Sequence, residues 1–567
     1  MDNIRFVLVV VFAMLSILLW QAWQMDYGPK PPMSAIEQPI VNTKADLPVD
    51  GAATTEPNNT ALPVIDATKG KIITVKTDVF NVEIDTQGGT LVNLDLVKYP
   101  VDKKNTSVDS IRNTLGLDKS EKNLTPIRLL NSNAEDLFLA QSGLISNSDS
   151  AAAANHHSVF TAAQDSYTLA EGQDKLDVPL TWTDNQGLVV TKLFTFTRGD
   201  YAINVEQKIA NNAQKPWNGR QYTQFIRTPY TDPAGNSFIR TYAGGVVYTE
   251  ESKYHKIKFE DMADEDFAAT TTGGWSAMIQ HYFASAWVPP VDQENHLYTK
   301  SLGDAKFVIG SYSPIISVAP NTEAQLKAQL FAGPKIQPML EKVAKGLELT
   351  VDYGWLTVIA KPIYKLLNFI HDYIGNWGFS ILGVTLCIKL LFFPLSAASY
   401  KSMAKMRKIQ PRLKDLQERY PDRQVFNQKM MAMYKEEGVN PLGGCLPVLV
   451  QIPVFISLYW VLVETVELRQ APFALWIQDL SAQDPYYILP ILYGITMKIQ
   501  QGLNPAPIDP IQAKIMKMFP IVFTFFFLFF PSGLVLYWIM NNTLSILQQW
   551  YITKHIVGEE KPHHVAH

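Results

Sequence analysis

The stretch Trp377–Ala398, WGFSILGVTLCIKLLFFPLSAA, carries one residue that its apolar surroundings do not explain. The segment is long enough to cross a bilayer, because about 20 apolar residues rising 1.5 Å each span the hydrocarbon. Lys389 lies inside it, and an ammonium at that depth costs roughly 2.5–3.5 kcal/mol even on a lenient insertion scale. At about 13 Å from Ala398 along the helix, its four-carbon stem falls short of the headgroups, so snorkelling is a poor account of it. Lys389 therefore reads as a functional charge in a polar, water-accessible setting that other membrane helices supply. Competing chemistries lack their residues. The spans from Trp377 onward hold no internal carboxylate for a proton relay, Glu464 and Glu467 sitting at one outer end. They hold no histidine for an intramembrane hydrolase, and no Walker-type phosphate loop occurs in the chain. No catalytic set, metal-ligand set or cofactor is expected. His156-His157 falls in a Ser/Ala/Asn-rich loop and reads as ordinary surface histidine, while His563, His564 and His567 sit in a tail too floppy to hold a metal.

Around that lysine the chain of 567 residues divides into a soluble-looking part and a membrane-like part, a split that the overall 47% hydrophobic content conceals. Phe6–Trp23 is a long apolar run without a small-x-small cleavage site, closed by Trp20 and Trp23, and reads as an uncleaved signal anchor within 1–25. Residues 26–64, rich in Pro, Ala, Thr and Asn, read as a flexible linker. From 65 to 335 short alternating patterns recur between turn residues. Phe194 and Phe196 share one strand face and Thr195 and Thr197 the other, while Gly88-Gly89 and Asp184–Gly187 read as turns. This spacing predicts a large all-β sandwich. Trp275, Tyr282 and Trp287 are expected in its core. The only cysteines, Cys387 and Cys445, lie outside that region, so it needs no disulfide framework in an oxidising compartment.

Residues 336–375 carry helical periodicity. Gly354–Tyr373 mixes an apolar stripe with Lys361, Lys365 and Asp372, which predicts an amphipathic helix lying on the outer membrane interface. A five-helix core follows at 376–555, with spans 376–398, 446–466, 486–499, 515–530 and 534–551. Two of these are short enough to thin the bilayer. Between Tyr400 and Asn440 ten basic residues outnumber five acidic ones, which places this loop in the cytoplasm and the β domain on the opposite side. With the signal anchor there are six transmembrane helices and both termini are cytoplasmic, the tail being 556–567. The loop 400–440 reads as a helical hairpin broken at Pro421-Asp422. Its Met403, Met406, Met430 and Met433 either pack the hairpin or offer an adaptable surface to varied apolar clients, flanked by Arg419 and Arg423.

The stretches SMAKMRKIQP (402–411), NPLGGCLPVLVQIPVF (440–455), ELRQAPFALWIQDLSAQDPYYILP (467–490) and FFPSGLVLYWIMNN (529–542) resemble the YidC/Oxa family of Gram-negative membrane protein insertases. The resemblance runs along the whole chain. It implies a polytopic α-helical membrane protein with a large periplasmic all-β domain, a β-supersandwich, and a cytosolic helical hairpin. It further implies a bacterial inner-membrane location and a hydrophilic groove open to cytosol and lipid, through which an insertase and chaperone passes hydrophobic segments of nascent inner-membrane proteins; the alternative is a passive assembly scaffold or chaperone without insertion activity of its own. The implied partners are those clients, membrane lipids, the Sec translocon with its accessory subunits and, weakly given the near-neutral tail, the ribosome; no nucleic acid is implied. On the matching positions the groove charge falls at Lys389, where the family usually has arginine, so the charge stays and the planar five-donor fork does not. Gln451 and Thr524 fall at polar groove positions, and Phe526, Phe529, Tyr537 and Trp538 at client-contact aromatics.

Overall fold

The computed structural model describes residues 46–48, 70–102, 124–147, 152–230, 241–438, 446–504 and 510–557. The expected signal anchor, the tail histidines and Cys445 lie outside these residues. From Ile72 to Pro334 the chain builds an 11-stranded and a 9-stranded sheet, almost entirely antiparallel. Strand Leu188–Thr197 shows strict alternation of buried and half-buried positions, with Phe194 and Phe196 on the buried face. Strand Ala202–Asn211 pairs with it, Ile203 opposite Phe196 and Val205 opposite Phe194, so both apolar faces enter one core. The predicted turns stand: Gly88 and Gly89 adopt φ of 75° and 57°, and Asp184 Oδ1 accepts the N–H groups of Gln186 and Leu188. The sheets meet face to face. Trp287 of Phe283–Val288 packs its ring 6.0 Å from Phe225 of Trp217–Arg227 and donates its indole N–H to the Gln224 carbonyl on the facing sheet. Trp275 and Trp287 are core residues, as expected; Tyr282 is half-buried against the core.

Two features of this domain escaped the sequence patterns. Lys192 occupies an apolar-face position of its strand and is 0% exposed, its Nζ donating to the carbonyls of Gly88 and Ser142 at 2.6 Å each. Burial lowers its pKa to about 7. Between about 7 and the ordinary value of 10.5 the unfolded chain therefore binds more protons than the folded one, so the stability contributed by this group rises with pH across that window. Lys192→Met should abolish that rise, and the melting temperature of the parent relative to the variant should climb by several degrees between pH 7 and 10. A pH-independent difference would overturn the assignment. Second, His156 is not a surface histidine: it is 4% exposed and bonded to Tyr222 beneath the loop that carries it.

After the sheets come α1 (Phe259–Asp264, set between strands), α2 (Gln337–Val343), α3 (Thr357–Ile374), α4 (Trp377–Leu391), α5 (Phe393–Arg419), α6 (Arg423–Glu436), α7 (Leu446–Glu464), α8 (Ile488–Leu503), α9 (Pro510–Phe527) and α10 (Ser532–Tyr551). Helix α3 buries Ala360, Ile363, Tyr364 and Leu367 against the protein while Trp355 and Val358, just before and within it, are 83% and 84% exposed. Such a two-faced apolar helix suits a membrane interface. The expected span 376–398 is not one straight helix. It breaks at Phe392, and α4 and α5 diverge by 67°. Pro394 has no N–H to continue the ladder to the Leu390 carbonyl, which is the physical cause of the break. Among the described residues no single helix is long and apolar enough to cross a membrane alone, and α4 with α5 passes only as a bent pair.

Candidate functional site

Helix α10 is the hub of the helical part, packing against α4 and α8 and touching α5 and α7. Its first half is apolar and its second half presents Asn542, Ser545 and Gln549 inward, all buried. Spaced three and four apart, they form one face of the helix, a stripe partly legible in the sequence. Lys389 meets this stripe. It is 5% exposed, and its Nζ donates to Ser545 Oγ at 2.8 Å. Ser545 Oγ in turn donates to the Asn541 carbonyl at 2.8 Å, so it meets the ammonium as an acceptor. Gln548 Nε2 reaches the Lys389 carbonyl at 3.4 Å, and Tyr400 of α5 also bonds Ser545. Among the described residues no carboxylate pairs with Lys389, and the described partner of its ammonium is the Ser545 hydroxyl. Ser396 and Ser399 of α5 are buried close in sequence to Tyr400, just beyond the bend. Across α10, Asn542 Nδ2 approaches Thr496 Oγ1 and Gln549 Nε2 donates to the Leu503 carbonyl. Lys389, Ser545, Gln548 and Tyr400 are joined by hydrogen bonds, and Asn542 and Gln549 lie on the same buried face of α10.

Gln451 sits half-buried on α7, and Thr524 sits half-buried on α9 with its hydroxyl returned to the Pro520 carbonyl at 2.6 Å. Thr524 packs on Gly494 of α8, where any Cβ would collide with its Oγ1. No described hydrogen bond joins either residue to Lys389. The four aromatics divide. Tyr537 is buried and Trp538 half-buried; Phe455 lies 5.9 Å from the first ring and 4.4 Å from the second. Tyr493 and Phe527 complete this cluster, at 6.2 and 6.0 Å from Trp538. Phe526 packs 4.6 Å from Phe530, and Phe529 5.5 Å from the exposed Phe525. The core thus has an aromatic end and, further along α10, a polar end holding one cation.

Helices α5 and α6 pack through Ile409, Leu413 and Tyr434, joined by Met406, Met430 and Met433. These three methionines therefore fill their own helix pair. Met403 is half-buried, Met431 is 57% exposed, and Arg419 is exposed at the end of α5. Asp422 caps α6 by accepting the N–H groups of Gln424 and Val425. On the other side, Lys335 and Glu464 form an ion pair at 3.1 Å with side chains 2% and 4% exposed, and His281 Nε2 meets the Val463 carbonyl. Arg469 and Gln470 both donate to the carbonyls of Pro100 and Val101 at 2.8–3.2 Å. The β domain is thereby fixed to the helical core by buried and half-buried polar contacts.

Residues 72–366 match the family model of the YidC periplasmic domain, and residues 369–560 match that of the 60Kd inner membrane protein. Architecture and matches define the class: an inner-membrane protein with a large periplasmic β-rich domain on a helical core. The membrane protein insertase YidC of Methylococcus capsulatus is 54% identical over 559 residues, covering 98% of this chain and 99% of that protein. The corresponding protein of Nitrosococcus oceani is 46% identical over 565 residues, covering 99% and 100%. A crystal structure of an active YidC insertase with its first transmembrane domain resolved aligns with a TM-score of 0.37 at 17% identity, covering 85% of this chain and 95% of that one. The chain belongs to the YidC family of membrane protein insertases.

Proposed function

We propose that the chain moves hydrophobic segments of nascent inner-membrane proteins from the cytosol into the membrane, alone or with the Sec translocon, using the interior between α4, α7, α8, α9 and α10 as its path. The observation that carries this reading is Lys389, a cation held by Ser545 within apolar helices without an ion-pair partner among the described residues. A client hairpin has to bring a polar, often acidic, outer segment past hydrocarbon, a desolvation of several kcal/mol. The polar stripe of α10 and Lys389 offer that segment dipoles and an opposite charge partway. The rings of Phe526, Phe529, Tyr537 and Trp538 offer the client's apolar helix a surface on its way to lipid, and Gln451 and Thr524 add polar contacts on facing helices. Burial of the client's apolar helix supplies the driving force. In this reading six helices span the membrane, both termini are cytoplasmic, and α3 lies on the periplasmic interface. The pair α5–α6 is a cytosolic hairpin whose Met403, Arg419, Arg423 and exposed Met431 receive the client first, while Met406, Met430 and Met433 hold the hairpin together. No nucleic acid or cofactor takes part, and the ribosome makes at most a weak contact.

Site-specific photocrosslinking tests this reading. Probes at Gln451, Thr524 and Tyr537 should capture a stalled nascent membrane protein, whereas probes on the far side of the β domain should not. In a protein lacking the hairpin tip, roughly residues 419–426, crosslinks at Gln451 should appear several-fold more slowly while the core remains folded. Crosslinks at the parental rate would make the hairpin a mere connector, and no crosslinks in the parent would overturn the path itself.

A further inference from the structure

On the β domain, three side chains far apart in sequence converge. His156 Nε2 lies 2.8 Å from Asp46 Oδ2, and His157 Nε2 lies 3.1 Å from Asp46 Oδ1. The three donor positions fall within 4.8 Å of one another, and the imidazole rings stand 4.1 Å apart. His156 cannot swing: both its backbone N–H and its Nδ1 bond the phenol oxygen of the buried Tyr222, which leaves Nε2 turned toward Asp46. The backbone around the trio is also fixed. His157 N–H donates to Asn155 Oδ1 at 2.9 Å, and the Asp46 carbonyl accepts from Gln224 Nε2 at 3.1 Å.

We propose that Asp46, His156 and His157 bind a divalent metal ion of the zinc type, through both Nε2 atoms and a carboxylate oxygen, with a water in the fourth position. Two imidazoles and one carboxylate suit zinc and its transition-metal neighbours, while calcium and magnesium need more oxygens than the trio offers. The spacing is close to what coordination requires. Tetrahedral zinc with bonds of about 2.0–2.2 Å sets its ligand atoms about 3.3–3.6 Å apart. The two imidazoles now contact different oxygens of Asp46, so coordination through one of these oxygens lengthens its hydrogen bond by less than about 1 Å and draws together donor atoms that already lie within 4.8 Å of one another. Tyr222 serves as the outer partner that orients a ligating imidazole. On binding, the ion replaces the protons now shared between the imidazoles and Asp46. Its consequence is mechanical. Asp46 precedes the first strand of the β domain, which begins at Ile72, so the ion ties the segment leading into the domain to the loop at 155–157.

The full-length protein in detergent, stripped with a chelator, is titrated with Zn²⁺ against a chromogenic indicator, in parallel with Asp46→Asn and His157→Gln. Both substitutions leave the Tyr222–His156 contact in place and should leave folding intact, checked by the melting temperature. The parent is expected to hold one zinc more per chain than either variant, or to bind it at least tenfold more tightly. Zinc taken up by the tail histidines is common to all three proteins and cancels. With Co²⁺ in place of zinc, the parent should show tetrahedral visible absorption that both variants lack. Equal zinc binding by parent and variants, or no tetrahedral cobalt spectrum in the parent, would overturn the site and leave the trio a hydrogen-bonded dock.

Discussion

Lys389→Glu is expected to slow insertion of a client with an acidic outer segment by more than tenfold, whereas Lys389→Arg should stay within about twofold of the parent. The charge argument sets the scale. Two unit charges about 7 Å apart at an effective dielectric near 20 interact by about 2 kcal/mol, so reversing one sign changes the balance by roughly twice that. The local geometry adds to it. Ser545 Oγ directs its proton to the Asn541 carbonyl and its lone pairs to the lysine, so a carboxylate at 389 would meet an acceptor. Arginine keeps the donor and the charge. Lys389→Met separates charge from packing: it should impair the acidic client by an intermediate amount and leave a client with a neutral outer segment near the parental rate. Protease protection of clients translated in the presence of proteoliposomes measures all four proteins, with membrane levels matched. Insertion of the acidic client by the glutamate variant at the parental rate would remove Lys389 from the mechanism.

What the sequence shows and what it hides divide along a physical line. Strand alternation at Phe194 and Phe196, the Gly88-Gly89 turn and the apolar faces of the helices are local, and local periodicity reveals them. Lys192 looks like a solvent-facing residue between Thr191 and Leu193 until the carbonyls of Gly88, in a turn, and Ser142, on another strand, are found around it. His156 likewise reads as loop histidine because Tyr222 and Asp46 are 66 and 110 residues away. Lys389 was visible because an isolated charge in an apolar run is anomalous without any partner. Its partner was not, since Ser545 is 156 residues distant. The methionines show the limit most clearly: their spacing fitted both hairpin packing and client contact, and only the packing of Ile409, Leu413 and Tyr434 places Met406, Met430 and Met433 inside. The break at Phe392 is encoded by Pro394, but the apolar character of Trp377–Ala398, Lys389 apart, outweighs it.

Lys335→Met should destabilise the junction between the β domain and α7 by about 3–5 kcal/mol, the usual consequence of leaving one buried charge without its partner. Lys335 follows the last strand, Thr322–Pro334, and Glu464 closes α7, so the pair bridges two structural units rather than two neighbours within one. Its Nζ also donates to the Thr350 carbonyl at 3.1 Å, which leaves both Glu464 and that carbonyl unanswered in the variant. Nearby, burial and then the Lys335 charge lower His281 to about 4, so in the parent this ring is neutral at physiological pH. The double variant Lys335→Met/Glu464→Leu removes both charges and should recover most of the loss, because a buried pair exchanged for apolar groups is often neutral or stabilising. Hydrogen exchange over residues 335–353 and 463–468 reads the junction directly, and thermal unfolding in detergent reads the whole protein. Faster exchange in the single variant and near-parental exchange in the double would identify the pair as a specific clamp. If the two variants exchange alike, the junction depends on packing and on the Arg469 and Gln470 contacts to Pro100 and Val101, and the buried charges serve another end.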